Sequence, residues 1–307
     1  MNKLNTLDTL ITRFQQQKPI RASSLVITLY GDTIEPHGGT VWLGSLIKLL
    51  EPMGINERLM RTTIFRLTQD GWLTSDKVGR KSYYSLTGSG RRKFEQAFRR
   101  VYSANQTVWD GSWCLIMTQQ LSADERKQLL ENLNWQGFGV LTGQLIGSPS
   151  ANLSDVNTVL ASSNLQSKVI VFKTHQQEEL AGKQIRMLVR ECWELDKLGA
   201  HYQEFIDLFR PVWQELDEKD NIDAESSFLT RTLLIHEYRK LLLRDPQLPE
   251  ELLPGDWEGR AARQLCRNIY RKITPATEQW LGKNLESADG PLPEASQSFY
   301  QRFGGLN

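Results

Sequence analysis

The chain is organised around the stretch Asn56–Gly71, NERLMRTTIFRLTQDG. At a period of 3.6 residues, Met60, Thr63, Ile64 and Leu67 share one face, so the segment reads as a helix that buries a single stripe. The opposite face carries Arg58, Arg61, Thr62, Phe65, Arg66 and Gln69. A solvated helix face usually mixes acids and bases; this one has three arginines and no acid. Asn56 stands where an N-cap belongs, and Gly71 where a left-handed C-terminal residue belongs.

The flanking residues extend the pattern. Thr40–Leu50 reads as an earlier helix with Val41, Leu43, Leu46, Ile47 and Leu50 inward, and Pro52, Met53 and Gly54 break it. Helix, short turn and cationic second helix make a helix-turn-helix signature. After it, Trp72–Val78 and Lys81–Leu86 are two β-prone runs around Gly79-Arg80, a hairpin placed as a wing. Lys77, Arg80 and Lys81 at its tip are placed to reach phosphates. The plainer alternative is a solvated helix and hairpin.

Charge patterning favours DNA. The 307 residues hold 37 basic and 36 acidic side chains, nearly balanced. Residues 58–100, however, hold eleven Lys/Arg against three acids, a local excess of +8, while the segment after residue 100 is net acidic. One segment is built to meet a polyanion and the rest would be repelled by it. The length predicts two or three domains. Cys114, Cys192 and Cys266 form no CxxC pair and no metal-ligand spacing with the four histidines, so buried free thiols in a reducing cytoplasm are expected. Asn5, Thr6, Asp8 and Thr9 interrupt the early apolar residues, which argues against a secretory leader. No run approaches the ~18 apolar residues of a membrane helix.

Along the chain, residues 3–17 are amphipathic, with Leu4, Leu7, Leu10, Ile11 and Phe14 on one face, to pack on their own domain or across a dimer. Ile20–Tyr30 reads as the first helix of the winged domain and Gly31–Gly39 as a loop. A basic helix from Thr87 to about Tyr102 (Arg91, Arg92, Lys93, Arg99, Arg100) closes that domain, and Ser103–Thr107 reads as a linker. Strand Trp113–Thr118, helix Ser122–Asn134 with a Ser122/Glu125 capping box, short strands in Gly137–Gly147, helix Asp155–Ser163 and strand Lys168–Lys173 give the order β-α-ββ-α-β of a ferredoxin-like domain. From Glu178 nearly to Lys283 the pattern is helical, interrupted by the Pro-rich turn Leu248–Trp257; Leu285–Gln297 reads as loop. The fold class expected is therefore α+β multidomain: a winged helix-turn-helix over 1–102, a ferredoxin-like domain over 107–175 and a helical domain over 178–307.

Local catalytic motifs are missing. There is no Walker loop, GxGxxG, GxSxG, HExxH or zinc pattern. His37 falls in a loop, and His201 and His236 fall on helices. No catalytic residue, metal ligand or cofactor is expected.

The string WLGSLIKLLEPMGINERLMRTTIFRLTQDGWL (42–73) with VGRKSYYSLT (78–87) resembles the PaaX family, bacterial repressors of phenylacetate catabolism. The resemblance continues in order through WDGSW (109–113), WQGFG (135–139), DPQLPEELLPGDWEGRAARQLC (245–266) and YQRFGGLN (300–307). It implies a winged N-terminal domain, a central dimerisation domain resembling the CRISPR-associated spacer-acquisition nuclease, and a helical C-terminal domain. It further implies repression of phenylacetate genes by a homodimer on an inverted-repeat operator in double-stranded DNA, with release by phenylacetyl-coenzyme A. The alternative is a metal-dependent nuclease or an enzyme on acyl-coenzyme A. Such nucleases carry an aspartate at the end of the first strand, where this chain has Met117-Thr118-Gln119-Gln120. An aromatic acyl-coenzyme A needs an apolar slot and cations for its phosphates. Arg239, Arg244, Arg260, Arg263 and Arg267 around Trp257 are the candidate effector residues. The plainer reading leaves Trp257 in the core and the arginines in surface ion pairs.

Overall fold

The computed structural model describes residues 3–103, 108–175, 178–219, 222–288 and 290–306. Of the linker expected over Ser103–Thr107, residues 104–107 lie outside the described residues.

The first hundred residues run α1 (Asn5–Gln15), α2 (Ala22–Leu29), β1 (Thr40–Trp42), α3 (Leu43–Leu50), α4 (Glu57–Gln69), β2 (Leu73–Val78), β3 (Lys81–Leu86) and α5 (Gly88–Tyr102). The strands form one antiparallel sheet in the order β1-β3-β2, as a winged helix requires. Residues 40–42 are a strand where the periodicity predicts a helix. Gly38 and Gly39 lie at φ +91° and +76°, which turns the chain into extended Thr-Val-Trp, and Val41 then pairs with Tyr84. The backbone pairing of a β-branched residue outweighs the helical wheel. Gly31–Gly39 is likewise no open loop: a π-helical turn (Tyr30–Ile34) and a 3-10 turn (Glu35–His37) carry it inward, with Asp32, Thr33 and His37 buried.

The middle of the chain runs β4 (Ser112–Met117), α6 (Ala123–Leu133), β5 (Gly139–Thr142), β6 (Leu145–Ser148), α7 (Leu153–Ser162) and β7 (Ile170–His175). The sheet order β5-β6-β4-β7, antiparallel throughout, is the ferredoxin-like arrangement. Period-2 alternation sends Cys114, Ile116 and Ile146 into the core against Leu129, Leu133, Val156 and Leu160 of the two helices. Ser122 and Glu125 form the expected capping box.

The remainder is α8 (Glu178–Cys192), α9 (Leu195–Glu218), α10 (Ala224–Leu242), α11 (Glu258–Asn284), a short hairpin β8 (Glu286–Ser287) and β9 (Gly290–Pro291), and α12 (Gln297–Tyr300). The hairpin and α12 replace the loop expected over Leu285–Gln297. Cys114 and Cys266 are buried free thiols, whereas Cys192 is only half-buried.

The chain divides into two compact units. One gathers Met1–Ala104, Gln203–Lys240 and Arg260–Asn307; the other gathers Asn105–Tyr202 and Leu241–Gly259. In the first, α1 packs on its own unit rather than leaving its apolar face open. Leu7, Leu10 and Phe14 are buried, and Glu215 accepts the Asn5 and Thr6 N–H groups at 2.7 and 2.9 Å.

The first unit also encloses a polar network. Asp32, 1% exposed, accepts the Tyr102 and Tyr270 hydroxyls on Oδ1 at 2.5 and 2.8 Å. Arg302 reaches the same oxygen at 3.2 Å and also donates to the Gly31 and Asp32 carbonyls at 2.8 and 2.9 Å. Arg231 Nε lies 2.9 Å from Asp32 Oδ2, a charge contact rather than an aligned hydrogen bond, and Arg231 Nη1 pairs with Glu278 at 2.6 Å. His37 closes the set, 2.8 Å from Glu278. Burial acts to lower the Arg231 pKa, but Asp32, Tyr270 and Glu278 outweigh it and hold the guanidinium charged.

Candidate nucleic-acid interface

Helix α4 is oriented as its sequence dictates. Asn56 Oδ1 accepts the Leu59 N–H at 2.9 Å, a cap worth ~1 kcal/mol, and Gly71 adopts φ +69°. Met60, Thr63, Ile64 and Leu67 are buried, and α2 and α3 pack behind the helix. That leaves Arg58, Arg61, Thr62, Phe65, Arg66 and Gln69 all exposed on one face. Phe65 is 63% exposed, unlike the buried stripe behind it. Among the described residues the face holds one local ion pair: Arg61 reaches Glu57, one turn earlier, at 2.6 Å with both side chains more than half exposed. Such a pair contributes only ~0.3–0.5 kcal/mol and yields readily to a better partner. The Thr62 hydroxyl donates back to the Arg58 carbonyl at 2.9 Å.

The wing is a hairpin of two six-residue strands closed by Gly79 and Arg80, with Val78 opposite Lys81 and Gly79 at φ +61°. Lys77 and Arg80 are exposed there, with no partner among the described residues. Lys81 differs. Its ammonium sits on the flank of the hairpin, 2.6 and 2.8 Å from the two carboxylate oxygens of Glu286 in β8 and 4.5 Å from the centre of the Trp42 ring. Tyr83 donates to the same carboxylate at 3.0 Å. Hydrogen bonds from Lys81 and Tyr83 hold the Glu286 carboxyl below its ordinary range. The sequence gives no signal for this contact, because the partners lie 205 residues apart.

On α5, Arg91 pairs with Glu35 at 3.1 Å, Arg92 is exposed and Arg100 is half-buried; the side chains of Lys93 and Arg99 lie outside the described residues. Burial raises the Glu35 carboxyl above its ordinary range, against the pull of Arg91.

The six candidate effector residues fall in both units. Arg239, Arg260, Arg263 and Arg267 belong to the first, Arg244 and Trp257 to the second. Arg239 is buried and donates to the Ser24 carbonyl and hydroxyl at 3.0 and 2.8 Å. Arg263 donates to the Ser103 carbonyl. Arg244 and Arg260 are exposed and Arg267 half-buried. Trp257 is core, edge-on to Tyr202 at 5.7 Å. Apolar surface and cations do meet elsewhere within the second unit. A groove of about 180 Å³ is lined by Lys183, Arg186, Met187 and Arg190 of α8 with Leu195, Leu252 and Pro254. The Pro-rich turn that supplies Leu252 and Pro254 is visible in the sequence, but the cations of this groove come from α8 rather than from the helices that flank the turn.

At the end of β4, where a nuclease of this fold carries its aspartate, Thr118 is buried and donates its N–H and hydroxyl to the Gln144 carbonyl at 2.8 and 3.0 Å. Among the described residues no three His, Cys, Asp or Glu side chains gather as a metal site, and no helix is long and apolar enough to cross a membrane.

Family models match successive parts of the chain. Residues 21–90 match the PaaX-like protein family, residues 106–185 the PaaX protein central Cas2-like domain, and residues 193–283 the PaaX-like protein C-terminal domain. The transcriptional repressor PaaX of Escherichia coli (strain K12) is 42% identical over 309 aligned residues, covering 99% of this chain and 96% of that protein. Among solved structures, the uncharacterized protein Rv0674 from Mycobacterium tuberculosis aligns with 76% of this chain and 88% of its own, at 21% identity and a TM-score of 0.48.

Proposed function

This chain belongs to the PaaX family, and from that premise we propose that it represses phenylacetate-catabolic genes, holding an inverted-repeat operator as a homodimer and leaving it when phenylacetyl-coenzyme A binds. The observation that carries this reading is the exposed face of α4, with three arginines and a largely exposed Phe65, beside a wing whose Lys77 and Arg80 are unpaired among the described residues. In such a domain the second helix enters the major groove. Arg58, Arg61 and Arg66 then meet base edges, Phe65 offers its ring to thymine methyls, and Thr62 and Gln69 add polar contacts. The wing cations hold phosphates, which fixes register without reading sequence.

For the dimer we infer the open face of the four-stranded sheet. Met117 stands opposite Ile170 and Leu115 opposite Phe172, so these side chains share one face; Ile170 and Phe172 are 57% and 45% exposed. A second copy would cover them. Two α4 helices about one helical turn apart would then meet two half-sites. Effector binding must favour a state in which they no longer do, which requires tighter binding to the released form. The effector belongs to the helical region 178–307, and the α8 groove is a part of it where apolar side chains adjoin several cations. We read the central domain as a scaffold, since a metal-dependent nuclease needs a carboxylate where this chain has Thr118.

The test selects duplexes from a random pool with the full-length protein and then challenges the complex. Release by phenylacetyl-coenzyme A, but not by phenylacetate or coenzyme A alone, is expected. Failure to select any sequence over random DNA would overturn the repressor reading; selection without release would overturn only the effector.

A further inference from the structure

One wing cation is already committed before DNA arrives. Lys81 is the sole wing-tip lysine or arginine with an acidic partner among the described residues, and that partner comes from the far end of the chain. Both carboxylate oxygens of Glu286 lie within 2.8 Å of its ammonium, and Trp42 backs the pair from the ring side. Glu286 is itself held in place. Tyr83 donates to it from β3, its backbone N–H reaches the Ser45 hydroxyl of α3 at 3.3 Å, and β8 packs on β1. A carboxylate bound by a lysine offers that lysine the negative charge and the acceptor oxygens that a DNA phosphate would offer.

We propose that Glu286 is an intramolecular competitor for Lys81, a built-in phosphate mimic that sets how tightly the wing holds any DNA backbone. The inference rests on the wing contacting DNA as argued above. While Glu286 holds Lys81, the wing makes one phosphate contact fewer, and one condensed cation fewer leaves the DNA. With the glutamate neutralised, Lys81 adds a full phosphate contact. Counterion release then predicts about fivefold tighter binding per protomer at 0.15 M salt, and a slope of log K against log[salt] steeper by about 0.9 per protomer. Because phosphate contacts carry no sequence information, random and operator duplexes gain alike.

E286Q tests this in the full-length protein, by fluorescence anisotropy on a random duplex across a salt series. Glutamine is isosteric, and its single amide oxygen can accept from Lys81 and Tyr83, while the second Lys81 hydrogen bond, to the other carboxylate oxygen, is lost with the charge. E286A serves as a second variant, and thermal melting checks that both fold. Tighter binding with a steeper slope, abolished in K81Q/E286Q, supports the proposal. Unchanged or weaker binding in folded E286Q and E286A overturns it. So does a gain that survives in K81Q/E286Q, since the charge would then act without Lys81. Arg80→Ala separates the premises: if it weakens binding while E286Q is inert, only the competitor fails. If the wild type binds no duplex, or R80A has no effect, the wing reading fails and the competitor with it.

Discussion

Replacing Asp32 with asparagine should unfold this protein far more easily than any surface change. The carboxylate is 1% exposed, with Tyr102, Tyr270, Arg231 and Arg302 all on it. Within this network the guanidiniums of Arg231 and Arg302 are balanced by two carboxylates, Asp32 and Glu278. The asparagine side chain would keep an oxygen for the two tyrosine hydroxyls, so the substitution isolates the charge. What it removes is one negative charge from the enclosed set, and it can set an amide donor against Arg231 Nε at 2.9 Å. Breaking one side of a buried ion pair costs about 3–5 kcal/mol, a large fraction of the ~5–15 kcal/mol that holds a protein folded. At about 2–4 °C per kcal/mol for chains of this order, the melting temperature should fall by roughly 6–20 °C. The assay is thermal unfolding followed by circular dichroism, on Asp32→Asn, Arg302→Gln and the double variant. Because Arg302→Gln removes the stranded charge, the double variant should be less destabilised than the sum of the singles, by about 1–3 kcal/mol. A drop under ~2 °C in Asp32→Asn, or strict additivity, would refute the claim that charge balance holds this core.

Four further outcomes are expected. Arg61→Ala should relax sequence preference by ~1–3 kcal/mol at one base position, whereas Arg80→Ala should weaken all duplexes alike; equal effects in competition gel shifts would reverse the orientation given to α4. Burial raises the Glu278 carboxyl, but Arg231 and His37 overcome it and hold it at about 2 against an ordinary 4.5. Its stabilisation is therefore complete above about pH 4.5 and is lost as pH falls toward 2, so acid denaturation of Glu278→Gln should show a shallower pH dependence over that window, and an identical profile would exclude the pair. Phe172→Asp should convert a dimer to a monomer in light scattering, and an unchanged mass would move the interface off the β4–β7 face. Calorimetry with phenylacetyl-coenzyme A should show binding to the wild type and at least about tenfold weaker binding to Lys183→Ala with Arg186→Ala; equal affinity would remove the α8 groove as the site.

Features that depend on neighbours within a turn or a strand can be read from the residues alone. The burial stripe of α4, its Asn56 cap and Gly71 exit, the wing, the Ser122/Glu125 box and the β-α-ββ-α-β order were all legible, because helix period, strand alternation and capping act over a few residues. The same locality exposed the cationic face, since an arginine row without acids is visible on a wheel. Where local pattern met long-range pairing, pairing won. Val41 fits an amphipathic helix, yet Tyr84 across the sheet makes it a strand residue. Gly31–Gly39 looks like a loop, and is instead carried inward because Tyr102, Tyr270, Arg231 and Arg302 supply the partners that let Asp32 be buried.

Which distant segments share a unit emerges only when the folded chain packs them together. Folding gathered residues 203–240 and 260–307 with the winged domain, put Glu286 on Lys81, and divided the arginines around Trp257 between two units. The reason is physical: an ion pair between residues 205 apart, or a guanidinium on a buried aspartate, leaves no periodicity behind. Such contacts depend on where packed helices bring their side chains, and sequence spacing carries that information only when both partners ride on the same element.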